Sequence, residues 1–238
     1  VLRFDKALSA RVLSRPNEQE ALLSFMNESS ESLKEIMDRV GMMPIPPYIR
    51  AGHSDAQDRS DYQTHFANEY GSIAAPTASL HFTPELLSAL STAGVAIDFL
   101  TLHVGVASIL PLERSGGRPV AEALRYKAAL VERVRKVKKD GGRVVAVGTT
   151  VARALETMMR ISPGTSESDL QMTEIFISPG FEFLALDLLV TNFHQPGTSH
   201  LLLVEAFMKR RALLETSYRA ALQGEYRFLS YGDGMLIT

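Results

Sequence analysis

The apolar and polar positions along the chain predict a succession of strands and helices. From about residue 71 onward, short apolar runs alternate with segments whose apolar residues recur at helical spacing. Strands are predicted at 95–102, 143–147, 174–177 and 184–190, and helices at 84–92, 119–140, 151–159, 199–214 and 216–222. The first of these helices is predicted to begin with Thr83 as N-cap and Pro84 at the first helical position. This alternation is typical of an α/β protein whose mainly parallel or mixed sheet is flanked by helices.

The N-terminal part follows a different pattern. Residues 1–28 alternate weakly, with turns near 15–17 and 27–28, and predict short strands. A helix is predicted at 33–40, opened by a capping box from Ser32 to Glu35, and another at 61–70. We therefore expect an α+β protein overall, with a separate β subdomain at 1–28 and an α/β catalytic domain at 29–238.

Composition limits the classes of protein that remain. The 238 residues suffice for one large domain or a domain with an appendage. Cysteine is absent, which excludes disulfides and thiolate metal sites and agrees with a reducing cytoplasm. No apolar run reaches the length of a membrane span, and no signal peptide is evident, so we expect a cytoplasmic protein. The chain begins without Met inside a possible strand, which indicates a start within a longer protein.

Charge leaves the question of a nucleic-acid partner open. The net charge is −2, which neither indicates nor excludes such a partner. Residues 125–139 hold seven Lys or Arg against the single acid Glu132. This stretch is either a solvated helix face or a surface that contacts phosphates.

Polar groups follow several of the predicted strands. The four groups are Asn192-Phe193-His194, His103-Val104-Gly105, Gly148-Thr149-Thr150 and Tyr231-Gly232-Asp233. Side chains at the ends of strands in an open α/β sheet meet at one edge. We therefore expect the four groups to converge on one pocket.

Each group allows more than one chemical role. Gly148-Thr149-Thr150 at a helix start could bind a phosphate, a carboxylate or ribose hydroxyls, or form a plain capped turn. His81, His103 and His194 could be structural, could transfer protons or could form a three-histidine metal site. Asp233, between two glycines, could form a turn or hold a proton. Neither Gly-x-Gly-x-x-Gly nor a P-loop is present.

An ordered set of short motifs resembles one family. The motifs are Met43-Pro44-Ile45-Pro46-Pro47-Tyr48-Ile49, Tyr62-Gln63-Thr64, Ala74 to Thr83, Thr101-Leu102-His103-Val104-Gly105, Ala146 to Thr150 with Arg153, Leu155 and Glu156, Phe176 to Gly180, Val190 to His194, and Tyr226 to Asp233. Over residues 33–238 the chain is similar to the S-adenosylmethionine:tRNA ribosyltransferase-isomerases of queuosine biosynthesis.

The resemblance implies an activity. The ribosyl moiety of the co-substrate S-adenosylmethionine would be transferred to 7-aminomethyl-7-deazaguanine in a tRNA with a GUN anticodon. Epoxyqueuosine would form, with release of adenine and methionine. The resemblance also implies a β-barrel domain, so residues 1–28 would be part of a barrel. It implies no metal, and we expect a monomer without membrane contact.

The resemblance also assigns candidate site residues. The candidates for catalysis are His103, His194, His81 and Asp233. Those for binding S-adenosylmethionine are Gly105, Gly148, Thr149, Thr150, Arg153, Asn192 and Tyr231. Those for substrate binding are Tyr62, Gln63, Pro76, Thr77 and Arg227, of which Gln63 could also orient hydroxyls or the methionine carboxylate. The individual acid and base roles stay open.

The chain departs from the family pattern at four places near these candidates. They are Ala107-Ser108-Ile109, Gly116–Glu122, the stretch from Gln195 to His200, and Gly232-Asp233-Gly234. The departures keep two alternatives open. One is a divergent paralogue that uses S-adenosylmethionine with another acceptor, and the other is a non-catalytic protein that binds tRNA or a nucleoside.

Overall fold

The order of helices and strands is given by a computed structural model, which describes residues 1–16, 21–105, 117, 121–161 and 171–238. Its strands are β1 (Leu2–Arg3), β2 (Leu8–Ser14), β3 (Leu22–Asn27), β4 (Thr101–His103), β5 (Glu122–Arg125), β6 (Val145–Val147), β7 (Gln171–Thr173), β8 (Leu188–Asn192) and β9 (Gly234–Ile237). Its α-helices are α1 (Leu33–Val40), α2 (Asp58–Asp61), α3 (Pro84–Thr92), α4 (Ala128–Lys139), α5 (Thr149–Met158), α6 (Ser199–Met208) and α7 (Arg211–Gln223). Short 3-10 turns cover Arg50–Gly52 and Thr77–His81.

The strands form three small sheets, and the α/β class with a mixed sheet is confirmed. Strands β1-β2-β3 and β4-β5-β7 are antiparallel throughout. In the third sheet β6 runs parallel to β8, whereas β9 is antiparallel to β8, with Asn192 opposite Gly234. Among the described strands only β6 and β8 are parallel, so of the two predicted alternatives, a mainly parallel or a mixed sheet, the mixed sheet is the one present. The C-terminal tail enters the sheet from the opposite direction and pairs with β8.

The main core lies between the third sheet and the helices that pack against it. Ala146 and Leu189 of the sheet are fully shielded from solvent, as are Ala154 of α5 and Val204 of α6. Apolar burial of this kind is the dominant stabilising term of a fold. The core therefore fixes the ends of β6 and β8 relative to the N-termini of α5 and α6, where the polar groups lie.

Several predicted helices are confirmed, and others are corrected. Helices α1 and α3 begin at the predicted caps, Ser32 and Thr83, and the capping box of α1 is formed. The helix predicted at 61–70 is wrong, because α2 ends at Asp61 and Tyr62 turns inward instead. The helix predicted at 199–214 ends at Met208, since Lys209 adopts a left-handed conformation with φ of 58°. No helix in the described part of the chain has the length and apolarity needed to cross a bilayer.

The predicted strands are shifted or replaced. The helix predicted at 119–140 begins only at Ala128, because Glu122–Arg125 forms β5 between β4 and β7. Its first residues, 119 and 120, lie outside the described residues. The strand predicted at 174–177 lies at Gln171–Thr173, and the one predicted at 95–102 is confined to Thr101–His103. Pairing with neighbouring strands, which local periodicity does not encode, decided these boundaries.

The buried residues of the N-terminal sheet lie outside the main core. Leu8 and Ala10 of β2 and Ile36 of α1 are buried, but they are not part of the main hydrophobic cluster. An ion pair between Asp5 and Arg39 joins this sheet to α1 at 2.7 Å. We propose that residues 1–28 form a unit separate from 29–238. The barrel remains a prediction, and residues 17–20 lie outside the described part.

The basic stretch on α4 is largely neutralised by acids. Five of its cations form ion pairs, which join Arg125 to Glu69, Arg133 to Asp98, Arg135 to Glu132, Lys136 to Asp140 and Lys138 to Asp187. Exposed pairs of this kind contribute little stability. This pairing favours the interpretation as a solvated face.

Candidate functional site

A cavity of about 220 Å³ opens where β6 and β8 end and α5 and α6 begin. Thr191 and Asn192 contribute its floor from β8, and Gly148, Thr149 and Thr150 contribute one wall from the start of α5. Segment 74–78 and segment 46–48 lie on the other sides. Two of the four predicted polar groups, at 148–150 and 192–194, therefore do meet in one cavity.

The start of α5 depends on the backbone of Gly148. This residue has φ of 96° and ψ of 147°, a combination that is available almost only to glycine. Its N–H donates to the carbonyl of Val190 at 2.8 Å, which ties the helix start to β8. The first N–H groups of α5 have no partners within their own helix, as at any helix N-terminus, and Thr149 and Thr150 line the cavity. Such a terminus favours an anionic or hydroxyl ligand.

Asn192 is the most connected polar side chain of the floor. Its Oδ1 accepts a hydrogen bond from the hydroxyl of Thr77 at 3.2 Å. Its Nδ2 lies 3.5 Å from both Nε2 of His81 and the carbonyl oxygen of Gly232. With only 2% of its surface exposed, Asn192 joins the 3-10 turn to the C-terminal segment beneath the cavity. This contact brings the predicted residue His81 to the back of the site.

His194 and His200 form a stacked pair in the wall. Their ring centroids are 5.2 Å apart, with an angle of 20° between the planes. Nε2 of His194 lies 2.8 Å from the hydroxyl of Thr191, and the His194 N–H donates to the hydroxyl of Tyr218 at 3.0 Å. Burial lowers the pKa of His194 well below 6.5, and the neighbouring His200 adds to this effect. Burial, together with the charge of Arg153, lowers the pKa of His200 to about 4. Both rings are therefore neutral at pH 7.

Arg153 projects from α5 to the same wall and is held by two groups. Its Nη1 donates to the carboxylate of Glu122, which is buried in β5, and its Nε donates to the carbonyl of Ile175 at 3.3 Å. Among the described residues, Nη2 of Arg153 is the one buried side-chain polar atom without a hydrogen-bond partner. An unsatisfied buried donor is uncommon in folded proteins. It lies on a residue that lines the cavity.

Tyrosines and Ser230 form the rim on the opposite side. The hydroxyls of Tyr48 and Tyr62 lie 2.6 Å and 3.2 Å from Oγ of Ser230. The Tyr231 hydroxyl donates to Asp58 at 2.8 Å, and its ring meets Tyr62 edge-on at 5.6 Å. The Arg50 guanidinium hydrogen-bonds Asp58 and lowers the pKa of that carboxyl to about 2. These contacts fix the C-terminal segment against residues 46–62.

The structure brings only some of the predicted site residues into the cavity. Its lining includes Tyr62, Pro76, Thr77, Gly148, Thr149, Thr150, Arg153, Asn192 and His194. His81 contacts Asn192 from behind, and Tyr231 adjoins the rim through Tyr62. The lining does not include His103, Gly105, Gln63, Arg227 or Asp233.

Two of the residues outside the lining have clear structural contacts. The carboxylate of Asp233 accepts the backbone N–H of Arg227 at 2.7 Å, and its own N–H donates back to Arg227. Asp233 therefore forms a turn, which was one of the two alternatives predicted from its position between Gly232 and Gly234. Gln63 is exposed, and its side-chain oxygen accepts the N–H of Thr64 at 3.0 Å. Among the described residues, no group of three or more His, Cys, Asp or Glu could hold a metal ion.

Sequence reasoning missed several residues of the cavity. Tyr48, Ser230, His200 and Glu122 were part of motifs or departures but were not proposed as site residues. Glu122 ends the stretch 116–122, where the chain departs from the family pattern, and this departure was the sequence feature that could have identified it. Most of that stretch lies outside the described residues, as does Ala107-Ser108-Ile109. Tyr48 follows two prolines, which indicates a rigid turn. Pairing of Ser230 with Tyr48, 182 positions earlier, left no local signal.

Comparison with known proteins identifies the family to which the chain belongs. The sequence model of the family described as queuosine biosynthesis protein matches residues 1–237. The chain belongs to this family. Three curated relatives are named S-adenosylmethionine:tRNA ribosyltransferase-isomerase. They come from Sphingopyxis alaskensis at 43% identity, Rhizorhabdus wittichii at 42% and Erythrobacter litoralis at 41%. The predicted family resemblance is therefore confirmed.

The relatives of this family are longer than the chain. Each alignment covers 98% of the chain but only 67% or 68% of the relative. A solved structure, the S-adenosylmethionine tRNA ribosyltransferase of Thermotoga maritima, is similar with a TM-score of 0.54 and 30% identity. That similarity covers 98% of this chain and 63% of the other. The chain thus spans about two thirds of the length of the family members that it matches.

Proposed function

We propose that the chain catalyses the reaction for which its relatives are named. S-adenosylmethionine would supply a ribosyl group to 7-aminomethyl-7-deazaguanine in tRNA, with formation of epoxyqueuosine and release of adenine and methionine. The observation that carries the proposal is the cavity itself. In a chain of this family, one cavity joins a helix N-terminus, a buried amide and two neutral imidazoles.

The charge balance of the cavity suits a sulfonium ion. S-adenosylmethionine is positively charged at sulfur, so free cations in the wall would repel it. The two imidazoles are neutral because burial lowers their pKa values, and Arg153 is paired with Glu122. We assign the methionine carboxylate to Arg153 and the N–H groups that begin α5, since both favour an anion. Asn192 and Thr77 would orient the ribose hydroxyls.

His194 is our candidate for proton transfer. The sulfonium acidifies the adjacent C5′ hydrogen, so a neutral imidazole can accept that proton. Nε2 of His194 is engaged with Thr191, and no other described residue hydrogen-bonds the ring, so Nδ1 is left for the substrate. His81, behind Asn192, is the candidate proton donor for the departing adenine. His103 and Asp233 lie outside the lining and become secondary candidates.

The proposal includes the finer expectations about substrate and setting. The acceptor would be a tRNA with a GUN anticodon, and the protein would act as a monomer in the cytoplasm. Tyr62, Pro76 and Thr77 line the cavity and are proposed to contact the acceptor. Gln63 and Arg227 are exposed, where they could contact tRNA outside the cavity.

One experiment tests the activity directly. The protein is incubated with S-adenosylmethionine and precursor tRNA, and both adenine release and the mass of the tRNA are measured. We expect stoichiometric adenine release and a gain of tRNA mass. A tRNA that carries unmodified guanine at the same position is the matched control and should give neither signal. Absence of both signals with the precursor tRNA would overturn the assignment.

A second candidate has its own supporting observation. Gln195 and Thr198 to His200, where the chain departs from the family pattern, all line the cavity. A changed wall could accept another acceptor in place of the tRNA base. Adenine release without any gain of tRNA mass would favour this divergent paralogue, whereas strict dependence on precursor tRNA would exclude it.

A further inference from the structure

Tyr48 is an aromatic side chain whose backbone is held rigidly at the cavity rim. Its turn is closed by the N–H of Ile49, which donates to the carbonyl of Pro46 at 2.9 Å. The ring of Pro47 restricts φ just before Tyr48. The position of the Tyr48 backbone is therefore set before any ligand binds.

The tip of the same side chain is also anchored. Its hydroxyl lies 2.6 Å from Oγ of Ser230, which is buried and also lies 3.2 Å from the Tyr62 hydroxyl. A tyrosine fixed at both ends presents its ring with little loss of side-chain entropy on binding. Even so, 49% of Tyr48 is exposed, although it lines the cavity. A rigid aromatic face at the rim is thus free to receive a flat ligand.

The position at the rim indicates which ligand this is. Deeper groups such as Asn192 and Thr149 are almost completely buried and suit the small co-substrate. The other substrate is a base within a polynucleotide, which must leave its stack to react in a cavity. An unstacked base regains stacking energy on an aromatic side chain, and proteins that bind single-stranded RNA use tyrosine in this way.

We propose that Tyr48 is the stacking platform for the acceptor nucleobase of the tRNA. The hydroxyl contact with Ser230 orients the ring, and the ring face supports the base while its aminomethyl group reaches the co-substrate. This inference rests on the proposed function, since it requires a polynucleotide acceptor. It assigns a binding role to Tyr48, which belongs to the motif Met43 to Ile49 but was not among the candidate site residues.

Two substitutions at Tyr48 separate stacking from hydrogen bonding. Tyr48→Leu removes the ring, and Tyr48→Phe keeps the ring but removes the hydroxyl. Tyr70→Leu is the matched control, because Tyr70 is highly exposed and does not line the cavity. The measurements are the KM values for precursor tRNA and for S-adenosylmethionine, together with the affinity for a labelled precursor anticodon stem-loop.

We expect Tyr48→Leu to raise the KM for tRNA and the stem-loop Kd roughly 10- to 100-fold, the range typical of a lost base stack. The KM for S-adenosylmethionine should stay within about threefold, and Tyr48→Phe and Tyr70→Leu should both behave almost like the wild type. Circular dichroism spectra that match the wild type show that the variants fold.

Three results would overturn the inference. Normal tRNA affinity in Tyr48→Leu would show that the ring does not stack on the base. An equal loss in Tyr48→Phe would assign the effect to the hydroxyl, and a rise confined to the KM for S-adenosylmethionine would assign the ring to adenine. A wild-type protein that neither binds nor modifies the tRNA would instead overturn the proposed function, and this inference with it.

Discussion

The imidazole of His194 stacks on that of His200, with 5.2 Å between the ring centroids and an angle of 20° between the planes. His200 is the second residue of α6, so the positive end of the helix dipole also disfavours its protonation. Burial lowers the pKa of His194 well below 6.5 and that of His200 to about 4. Two neutral rings can stack in this way, whereas two imidazolium ions would repel each other.

This pair should make stability depend on pH. The unfolded chain binds protons at these histidines near pH 6.5, whereas the folded chain binds them only at lower pH. The contribution of this histidine pair to stability is therefore fully present above pH 6.5 and is lost as the pH falls toward 4. We expect the free energy of unfolding to decrease by about 1.4 kcal/mol per pH unit for each histidine.

Urea unfolding at pH 7.5, 6.5 and 5.5 measures this slope. His200→Phe keeps an aromatic ring but removes one titrating group. The pH dependence of its free energy of unfolding should therefore be smaller by the equivalent of about one proton. His53→Gln, at an exposed position, is the control and should keep the wild-type slope. Identical slopes in wild type and His200→Phe would contradict the prediction.

His194→Gln should slow the reaction far more than it weakens binding. Glutamine retains a polar side chain but cannot accept and release a proton near neutral pH, so kcat should fall by a factor on the order of 10²–10⁴. The KM for S-adenosylmethionine should change little. Steady-state adenine release measures both constants, with His53→Gln as the control, and full activity of His194→Gln would remove this residue from the mechanism.

Glu156 should be essential for stability rather than for chemistry. It is completely buried in α5, and its carboxylate accepts the N–H groups of Leu184, Ala185 and Leu186, the segment that leads into β8. Arg160 donates to the same carboxylate at 2.5 Å. Glu156→Gln removes the charge and one acceptor oxygen, so we expect a loss of about 2–4 kcal/mol.

The control for Glu156 is an acid in a comparable but exposed pair. Glu215 pairs with Arg211 at 2.9 Å on the surface of α7, so Glu215→Gln should cost less than about 0.5 kcal/mol. Urea unfolding of both variants gives the comparison. Similar small losses in both would show that the three backbone contacts of Glu156 contribute little.

Gly148→Ala tests the backbone at the start of α5. A Cβ at this position would contact only the Cβ of Ala78, at 3.8 Å, so space is available. The φ of 96° nevertheless strains any other residue, and we expect a loss of about 1–3 kcal/mol. Gly105→Ala is the control, because its Cβ would meet nothing within 4 Å. If Gly148→Ala were as stable as Gly105→Ala, the loop would accommodate alanine without backbone strain, and the prediction would be wrong.

The local signals in the sequence were reliable where a structure depends on neighbouring residues. The capping box at Ser32 and Glu35 and the Thr83-Pro84 helix start are both formed as predicted. These caps are satisfied within four residues, so no distant contact is needed to form them. The turn of residues 148–150 between β6 and α5 was predicted for the same reason, and it now forms one wall of the cavity.

Predictions failed where a partner from elsewhere in the chain decides the structure. Glu122–Arg125 has the periodicity of the helix that follows it, yet it forms a strand because β4 and β7 lie on either side. The contact of the Asp233 carboxylate with the N–H of Arg227 was equally invisible in the sequence, and the catalytic role of Asp233 stays a prediction. His103 ends β4 and His194 follows the end of β8, yet only His194 lies in the lining of the cavity, and the catalytic role of His103 stays a prediction.

By itself, the sequence determined the family, the mixed α/β class, the helix caps and the polar groups at 148–150 and 192–194. These follow from ordered motifs and from short-range patterns of residue type. Only the tertiary structure decided which polar groups share the cavity, and it added His200, Glu122, Ser230 and Tyr48 to them. For Glu122, Ser230 and Tyr48 the physical reason is that hydrogen bonds across 31 to 182 positions select these neighbours, and residue spacing along the chain does not encode such contacts. His200 lies only six positions from His194, but the stacking of the two rings depends on how the start of α6 packs against the end of β8.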